Sequence, residues 1–131
     1  MKTCEINPWS WQDGFGFAHA RKVSDATRFL TLSGQCSTDA SGAPQHPGDM
    51  GAQMALAVAN LGEVLTQAGM TFANVQGIRI YTTDMDATLQ NWESLIGPFA
   101  AVGHRPASTL VGTTRLFSPD LLVEIEATAC A

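Results

Sequence analysis

The stretch "LLVEIEATACA", Leu121–Ala131, decides how this chain folds. Its apolar and polar residues alternate with period two, as in a strand whose successive side chains point to opposite faces. Leu121, Val123, Ile125, Ala127 and Ala129 make one side, and Leu122, Glu124, Glu126 and Thr128 the other. Such a strand buries its first face. The two carboxylates on the second need water, a partner or a chemical task, because unpaired charge is costly to bury. "NVQGIRIYTT" (Asn74–Thr83) alternates in the same way, with Gln76, Ile78, Ile80 and Thr82 on one face and Gly77, Arg79 and Tyr81 on the other. "ASTLVGTTRL" (Ala107–Leu116) reads as a further strand, followed by a turn at "FSPD".

Toward the N-terminus, "GFGFAHARKV" (Gly14–Val23) and "RFLTLSGQ" (Arg28–Gln35) read as two strands joined around Ser24-Asp25-Ala26. Phe29, Thr31, Ser33 and Gln35 would share one face of the second, with Leu30, Leu32 and Gly34 on the other. A short opening strand is expected over Thr3–Asn7. Ser37–Asp49 is dense in Ser, Asp, Gly and Pro and reads as a loop. Asp49 can cap a helix by accepting from first-turn amides. That helix carries Met54, Ala57, Val58, Leu61, Val64, Leu65 and Ala68 at helical spacing and ends at Gly69. Gly51 and Gly62 each weaken it by up to about 1 kcal/mol relative to alanine, so tertiary packing must hold it. A second helix starts at Thr83 or Asp84 and carries Met85, Leu89, Trp92, Ile96 and Phe99 at spacings of three and four, with Gly97-Pro98 expected to kink or tighten its last turns. The order β-β-α-β-α-β-β implies an α+β sheet with both helices on one face. Arg79, Tyr81, Glu124 and Glu126 lie on the face that no helix covers.

The 131 residues suit one domain over 1–131. A net charge of −5, with Arg21-Lys22 as the one basic pair, opposes nucleic-acid binding. The three cysteines, Cys4, Cys36 and Cys130, are odd in number and form no C-x-x-C pair, which opposes both a disulfide framework and a zinc site. His19, His46 and His104 lack metal-ligand spacing, and "GFG" near Phe15 is followed by no phosphate-loop pattern. No signal-like or membrane-spanning apolar run is present. A cytoplasmic chain with no metal, no cofactor and no membrane partner is therefore expected.

Several pieces, in order and at matching spacing, resemble the RidA/YjgF family, whose members are also labelled endoribonuclease L-PSP. They are "LSGQ" (Leu32–Gln35), "ANLGEVLTQAG" (Ala59–Gly69), "VQGIRIYTTDMD" (Val75–Asp86), Asn91, "RPAST" (Arg105–Thr109) and "LLVEIEATA" (Leu121–Ala129). The resemblance implies a chorismate-mutase-like α+β fold and a homotrimer with small-ligand clefts between subunits. It also implies a cofactor-independent hydrolase of enamine or imine acids such as 2-aminoacrylate, releasing a 2-keto acid and ammonia. Position by position, it makes Glu124 the acidic residue that positions water, and Ser33, Gly34 and Asn91 cleft residues. Phe17 stands where a tyrosine is frequent and Leu110 where a cysteine is frequent. Ser108 stands where an arginine clamps the substrate carboxylate.

That last difference has a size. An arginine fork makes two charge-assisted bonds to a carboxylate, each worth roughly 1.5–3 kcal/mol, while about 1.4 kcal/mol is a factor of ten in affinity. A serine hydroxyl leaves at least a tens-fold deficit. The expected function is a Rid-type imine or enamine deaminase with altered specificity and little action on 2-aminoacrylate. The alternative is a non-catalytic small-ligand binder or sensor, with a ribonuclease in third place. Arg79 and Arg115 are expected to pair with Glu124 or Glu126, and Arg105 is the remaining arginine near the clamp position. Trp9, Trp11, Phe15 and Phe17 either line a cleft for an apolar or aromatic ligand or pack the opening strand.

Overall fold

A mixed β-sheet with helices on one face forms the body of the protein, described here from a computed structural model of residues 1–131. The strands are β1 (Lys2–Ile6), β2 (Ala20–Ser24), β3 (Phe29–Cys36), β4 (Val75–Thr82), β5 (Ala107–Gly112) and β6 (Val123–Cys130). The helices are α1 (Met50–Gln67), α2 (Met85–Gln90) and α3 (Trp92–Ala101). The central sheet has the order β3-β6-β4-β5. β6 runs antiparallel to both its neighbours, and β4 runs parallel to β5. A parallel pair needs a crossover, which α2 and α3 supply. β1 and β2 form a separate antiparallel pair, joined to the sheet edge where Ala18 bridges Ala107 and its N–H donates to the Pro106 carbonyl at 3.0 Å.

The alternation of β6 and β4 is present as read. Val123, Ile125, Ala127, Ile78 and Ile80 are buried against Met54, Ala57, Val58, Leu61 and Leu65 of α1, with Leu95 and Phe99 of α3 completing the core. The Asp49 carboxylate accepts from Ala52 N–H at 3.0 Å, as expected of a cap. The opposite face carries Arg79, Tyr81, Glu124 and Glu126 and is uncovered within the chain.

The two strands joined around Ser24-Asp25-Ala26 are present but do not pair with each other, and three sequence expectations are corrected. β2 pairs with β1 beside β5, while β3 pairs with β6 at the far edge. Leu30 and Leu32 must face α1, and β6 offers the edge that allows it. Residues 14–19 are not strand. Asp13–Phe15 form a 3₁₀ turn closed by Gly16 at φ 73°, a left-handed conformation that turns the chain and that glycine adopts without penalty. The second helix breaks at Asn91, whose backbone (φ −110°, ψ 19°) closes α2 and opens α3. β5 stops at Gly112, well before Leu116, and β6 begins at Val123.

One buried residue had no apolar signal to reveal it. Gln53 is fully buried in α1. Its amide donates to the carbonyls of His46 (3.1 Å) and Asp120 (2.7 Å), and its oxygen accepts from Leu122 N–H (2.8 Å). It ties the 37–49 loop and the β5–β6 connection to the helix. His104 is also buried, 2.5 Å from the Val75 carbonyl through Nε2. Burial lowers its pKa, and the Val75 hydrogen bond opposes but does not cancel that effect.

Two measurements check this account. Leu61→Ala should cost roughly 2–5 kcal/mol in denaturant unfolding, because it empties the centre of the helix–sheet layer. His104 resists protonation in the native state but not in the unfolded chain, so stability should fall as pH drops below the ordinary histidine value of 6.5. Thermal midpoints between pH 7.5 and 5.5 should show that decline in the wild type and a flatter profile in His104→Gln.

Candidate active site

The pairing of β3 with β6 is out of step between Leu32 and Gln35, so Ser33 and Gly34 together span a single position of β6. This bulge aims the chain so that the Glu124 carboxylate lies directly over the Cα of Gly34. A Cβ at residue 34 would stand 2.7 Å from Glu124 Cδ and 2.8 Å from Cγ, inside any real contact. With the Glu124 side chain in this position, only glycine leaves the room. Ser33 is exposed beside it. Cys36, opposite Glu124 in the ladder, is buried, and its thiol is pushed up to about 12, first by burial and then by the Glu124 charge. It is a packed, protonated group with no nucleophilic role near neutral pH.

The two glutamates of β6 have different circumstances. Tyr81 Oη donates to Glu126 Oε1 at 2.7 Å and Arg79 reaches the same oxygen at 3.3 Å. The tyrosine hydrogen bond, then that of Arg79, holds the Glu126 carboxyl below the usual carboxylate range, while Glu126 pushes the Tyr81 hydroxyl up. Arg79 thus has the glutamate partner expected from sequence. Tyr81 is the partner the sequence reading missed, although its place in the alternation of β4 puts it on the glutamate face. Glu124 makes no ion pair and no side-chain hydrogen bond within the chain.

The remaining expected site residues lie elsewhere in the protomer. Ser108 on β5 is level with Ile78 of β4 and Ala127 of β6, whereas Glu124 is level with Tyr81 and Val111. Two strand spacings and three register positions separate them, well over 10 Å at about 4.8 Å between strands and about 3.3 Å along them. Ser108 also shares the helix-side face with Leu110, which packs on the core. Its hydroxyl has no hydrogen-bond partner in the chain, and the residue is one of those lining a depression of about 290 Å³ with His19, Arg79 and Glu126. Phe17 belongs to an aromatic cluster with Trp11, Phe15 and His19 next to the Ala18–Ala107 bridge. Asn91 sits at the α2–α3 break, with Nδ2 donating to the Ala87 carbonyl at 2.8 Å and Oδ1 against Gly51. A single protomer therefore brings Glu124, Ser33 and Gly34 together. It places Ser108 and Phe17 in a second group, and Asn91 apart from both.

Arg105 does not stand free beside Ser108. It is bound to Glu5 at 2.5 Å and Asp13 at 2.8 Å, and Arg21 joins Glu5 at 3.5 Å. Burial favours the neutral form of Glu5, but the Arg105 hydrogen bond and charge, aided by Asn7 and Arg21, outweigh it and keep the carboxyl low. Arg115 lies on the β5–β6 connection beside Thr83 and Ser118 and forms no ion pair, so the expected contact with Glu124 or Glu126 is absent. Its strand ends three residues earlier, which takes it off the sheet face.

A mixed sheet of this topology, bare on one face and carrying a free carboxylate over a glycine bulge, defines an α+β protein of the YjgF fold. The Endoribonuclease L-PSP family model matches residues 17–131, and the chain belongs to that family, the RidA/YjgF/L-PSP group. Among solved structures it is similar to the YyfB protein of Yersinia pestis, a protein of unknown function of the conserved Rid family, with 35% identity, 100% of both chains covered and a TM-score of 0.86. It is also similar to Rv2704 of Mycobacterium tuberculosis, a YjgF/YER057c/UK114 family member (27% identity, 99% and 100% covered, TM-score 0.67). PA3499 of Pseudomonas aeruginosa, of unknown function, is 27% identical, with 97% and 85% covered and a TM-score of 0.67. No curated protein matches the chain.

The contact between Glu124 and Gly34 has a measurable signature. Gly34→Ala should destabilise the fold by roughly 1–3 kcal/mol through overpacking. The same change in a Glu124→Ala background should cost clearly less, giving a coupling above about 0.5 kcal/mol in a double-mutant cycle.

Proposed function

We propose that the chain is a homotrimer with small-molecule clefts between neighbouring subunits, and that it hydrolyses the C=N bond of an imine or enamine tautomer. The single observation that carries this reading is that Glu124 is left unpaired over Gly34 while its neighbour Glu126 is taken by Tyr81 and Arg79. A carboxylate held at the edge of a cleft can take a proton from water as the oxygen attacks the imine carbon. That proton passes to nitrogen to give a carbinolamine, the proton of its new hydroxyl then follows to the amine as the C–N bond breaks, and a carbonyl compound and ammonia leave. Water is the only co-reactant.

The same geometry supports a site shared between copies. Glu124 with Gly34 and Ser108 with Phe17 lie too far apart in one protomer to touch one small ligand, so a complete site takes one group from each of two copies. The Gly34 amide, Ser33 and Ser108 would hold the polar end of the ligand, and Phe17 its apolar end, while Asn91, its amide bound to the Ala87 carbonyl, lies outside both groups. Ser108, in the position of the family's clamping arginine, offers one neutral hydroxyl. Arg105, Arg21 and Arg79 are all engaged by carboxylates. The preferred substrate is therefore an imine without a carboxylate. A second reading, ligand binding without turnover, draws on Leu110, which stands where a thiol is frequent and packs on the core. A ribonuclease role finds no support in a chain of net charge −5 whose sheet-side arginines are neutralised.

The test is release of ammonia from imines generated in situ, with and without a carboxylate. Turnover should favour the uncharged imines and should fall about 10²-fold or more in Glu124→Gln. Ser108→Arg should raise activity on 2-aminoacrylate at least tens-fold. No turnover of any imine, with Glu124→Gln behaving identically, would refute the hydrolase. Saturable thermal stabilisation without turnover would support the binder. Light scattering should return three times the 13.9 kDa chain mass.

A further inference from the structure

We infer that the groove at the end of the sheet, just past β5, is a binding site for a small aliphatic carboxylate, with Arg115 as its anchor. This site is independent of the imine reading, and none of Glu124, Gly34, Ser108 or Phe17 lines it. The groove measures about 420 Å³, within the roughly 300–1,000 Å³ of small-molecule sites. Arg115 supplies the one ionisable side chain of its lining. Arg21, Arg79 and Arg105 each have a carboxylate partner, and Arg28 lies beside Gly69, at the end of α1 where helix carbonyls favour a cation. The exposed Arg115 guanidinium has neither an ion pair nor a hydrogen bond within the chain; only the backbone carbonyl of that residue is engaged, by the Thr113 hydroxyl at 3.4 Å. Two carboxylates are close in sequence. That of Asp84 caps α2, accepting from Ala87 N–H at 3.0 Å, and Asp120 is outside the lining. In a chain of net charge −5, a groove lined by a cation and no carboxylate favours an anion.

The segment that carries Arg115 is tied down at both ends. Thr113 N–H donates to the Thr82 carbonyl at 2.8 Å, and Leu121 N–H to the Ser118 carbonyl at 3.1 Å. The fully buried Gln53 amide holds the Asp120 carbonyl and Leu122 N–H from below, and Leu121 itself is buried. The groove is therefore formed before any ligand arrives, which lowers the ordering cost of binding. Two hydroxyls in its lining have a proton to give. Thr114 makes no side-chain hydrogen bond, and Ser118 Oγ accepts from Asp120 N–H at 3.4 Å while its own O–H stays free. The rest of the lining includes Leu116, Pro119 and Leu121, so the ligand needs an apolar body as well as a charged head. A planar guanidinium offers two parallel donors that match a carboxylate. One cation balances one negative charge, whereas a phosphate dianion would be left half neutralised beside an acidic protein. A short-chain carboxylate meets all of these terms.

The test uses the full chain, with butyrate as the probe and butyramide, inorganic phosphate and sodium chloride at equal ionic strength as controls. In ¹H–¹⁵N spectra butyrate should saturably shift the Arg115 side-chain N–H and the amides of Thr114 to Ser118, and leave the Gly34 amide in place. Butyramide and phosphate should bind at least tenfold more weakly. Arg115→Gln should weaken butyrate at least tenfold. Arg28→Gln, which removes the other arginine without a carboxylate partner, should change it less than twofold. Both substitutions are at the surface, and unchanged spectra away from the groove would show that the fold is intact. Butyramide binding as well as butyrate, phosphate binding more tightly, or equal affinity in Arg115→Gln would overturn the inference. Shifts reproduced by sodium chloride, or centred on Gly34 and absent at Thr114, would do the same. So would butyrate binding seen only in Asp120→Asn, since that would make Asp120 the partner of Arg115.

Discussion

The structure depends on a sheet that can bury only one of its faces. β6 lies between β3 and β4, and its apolar positions, Val123, Ile125, Ala127 and Ala129, are sealed beneath α1. With that side fixed, every odd-even choice along the neighbouring strands is fixed too, because a slip of one residue would exchange buried and exposed sets. Glu124 and Glu126 are then compelled to the far side. Their different fates come from what β4 and β3 place beside them: a phenol and a guanidinium for one, and a residue without a side chain for the other.

That second arrangement shows how a bulge serves chemistry. An uninterrupted β3 would set a regular side chain against Glu124. Spanning one position of β6 with Ser33 and Gly34 exposes backbone instead, and the carboxylate occupies the space. The neighbouring thiol of Cys36 is removed from consideration by burial and by the same carboxylate.

Much of this was legible in the order of residues. The alternation of β4 and β6, the Asp49 cap, the length of α1 and the bare sheet face all follow from local patterns that tertiary packing reinforces. The errors have physical causes. The segment Phe15–His19 is rich in aromatic residues and looks like strand, but Gly16 at φ 73° turns it away. β2 and β3 are neighbours in sequence and sit at opposite edges, because pairing is decided by which face must meet α1, and no short-range signal carries that. Gln53 looks like a surface residue of a helix; two of its three backbone contacts, to Asp120 and Leu122, come from a segment remote in sequence. Arg115 continues a β-forming run in sequence, but the strand ends before it. For the site, the residue types were visible, but the division of Glu124 and Ser108 between two regions of one protomer needed the strand order.

The attachment of β1 and β2 has a mechanical consequence. Between this hairpin and the central sheet the ladder consists of one bridge, Ala18 to Ala107, and much of the remaining hold is ionic, through Glu5, Arg21, Arg105 and Asp13. Few buried apolar contacts means a low free energy of local opening. The bonds of partly exposed Arg105 to Glu5 and Asp13 weaken as electrolyte is added, while buried Arg21 keeps its hydrogen bonds to Gln76 and the Arg105 carbonyl. The first two dozen residues thus form a flap whose looseness ionic strength can adjust, while the layer of α1 on the sheet stays as rigid as before.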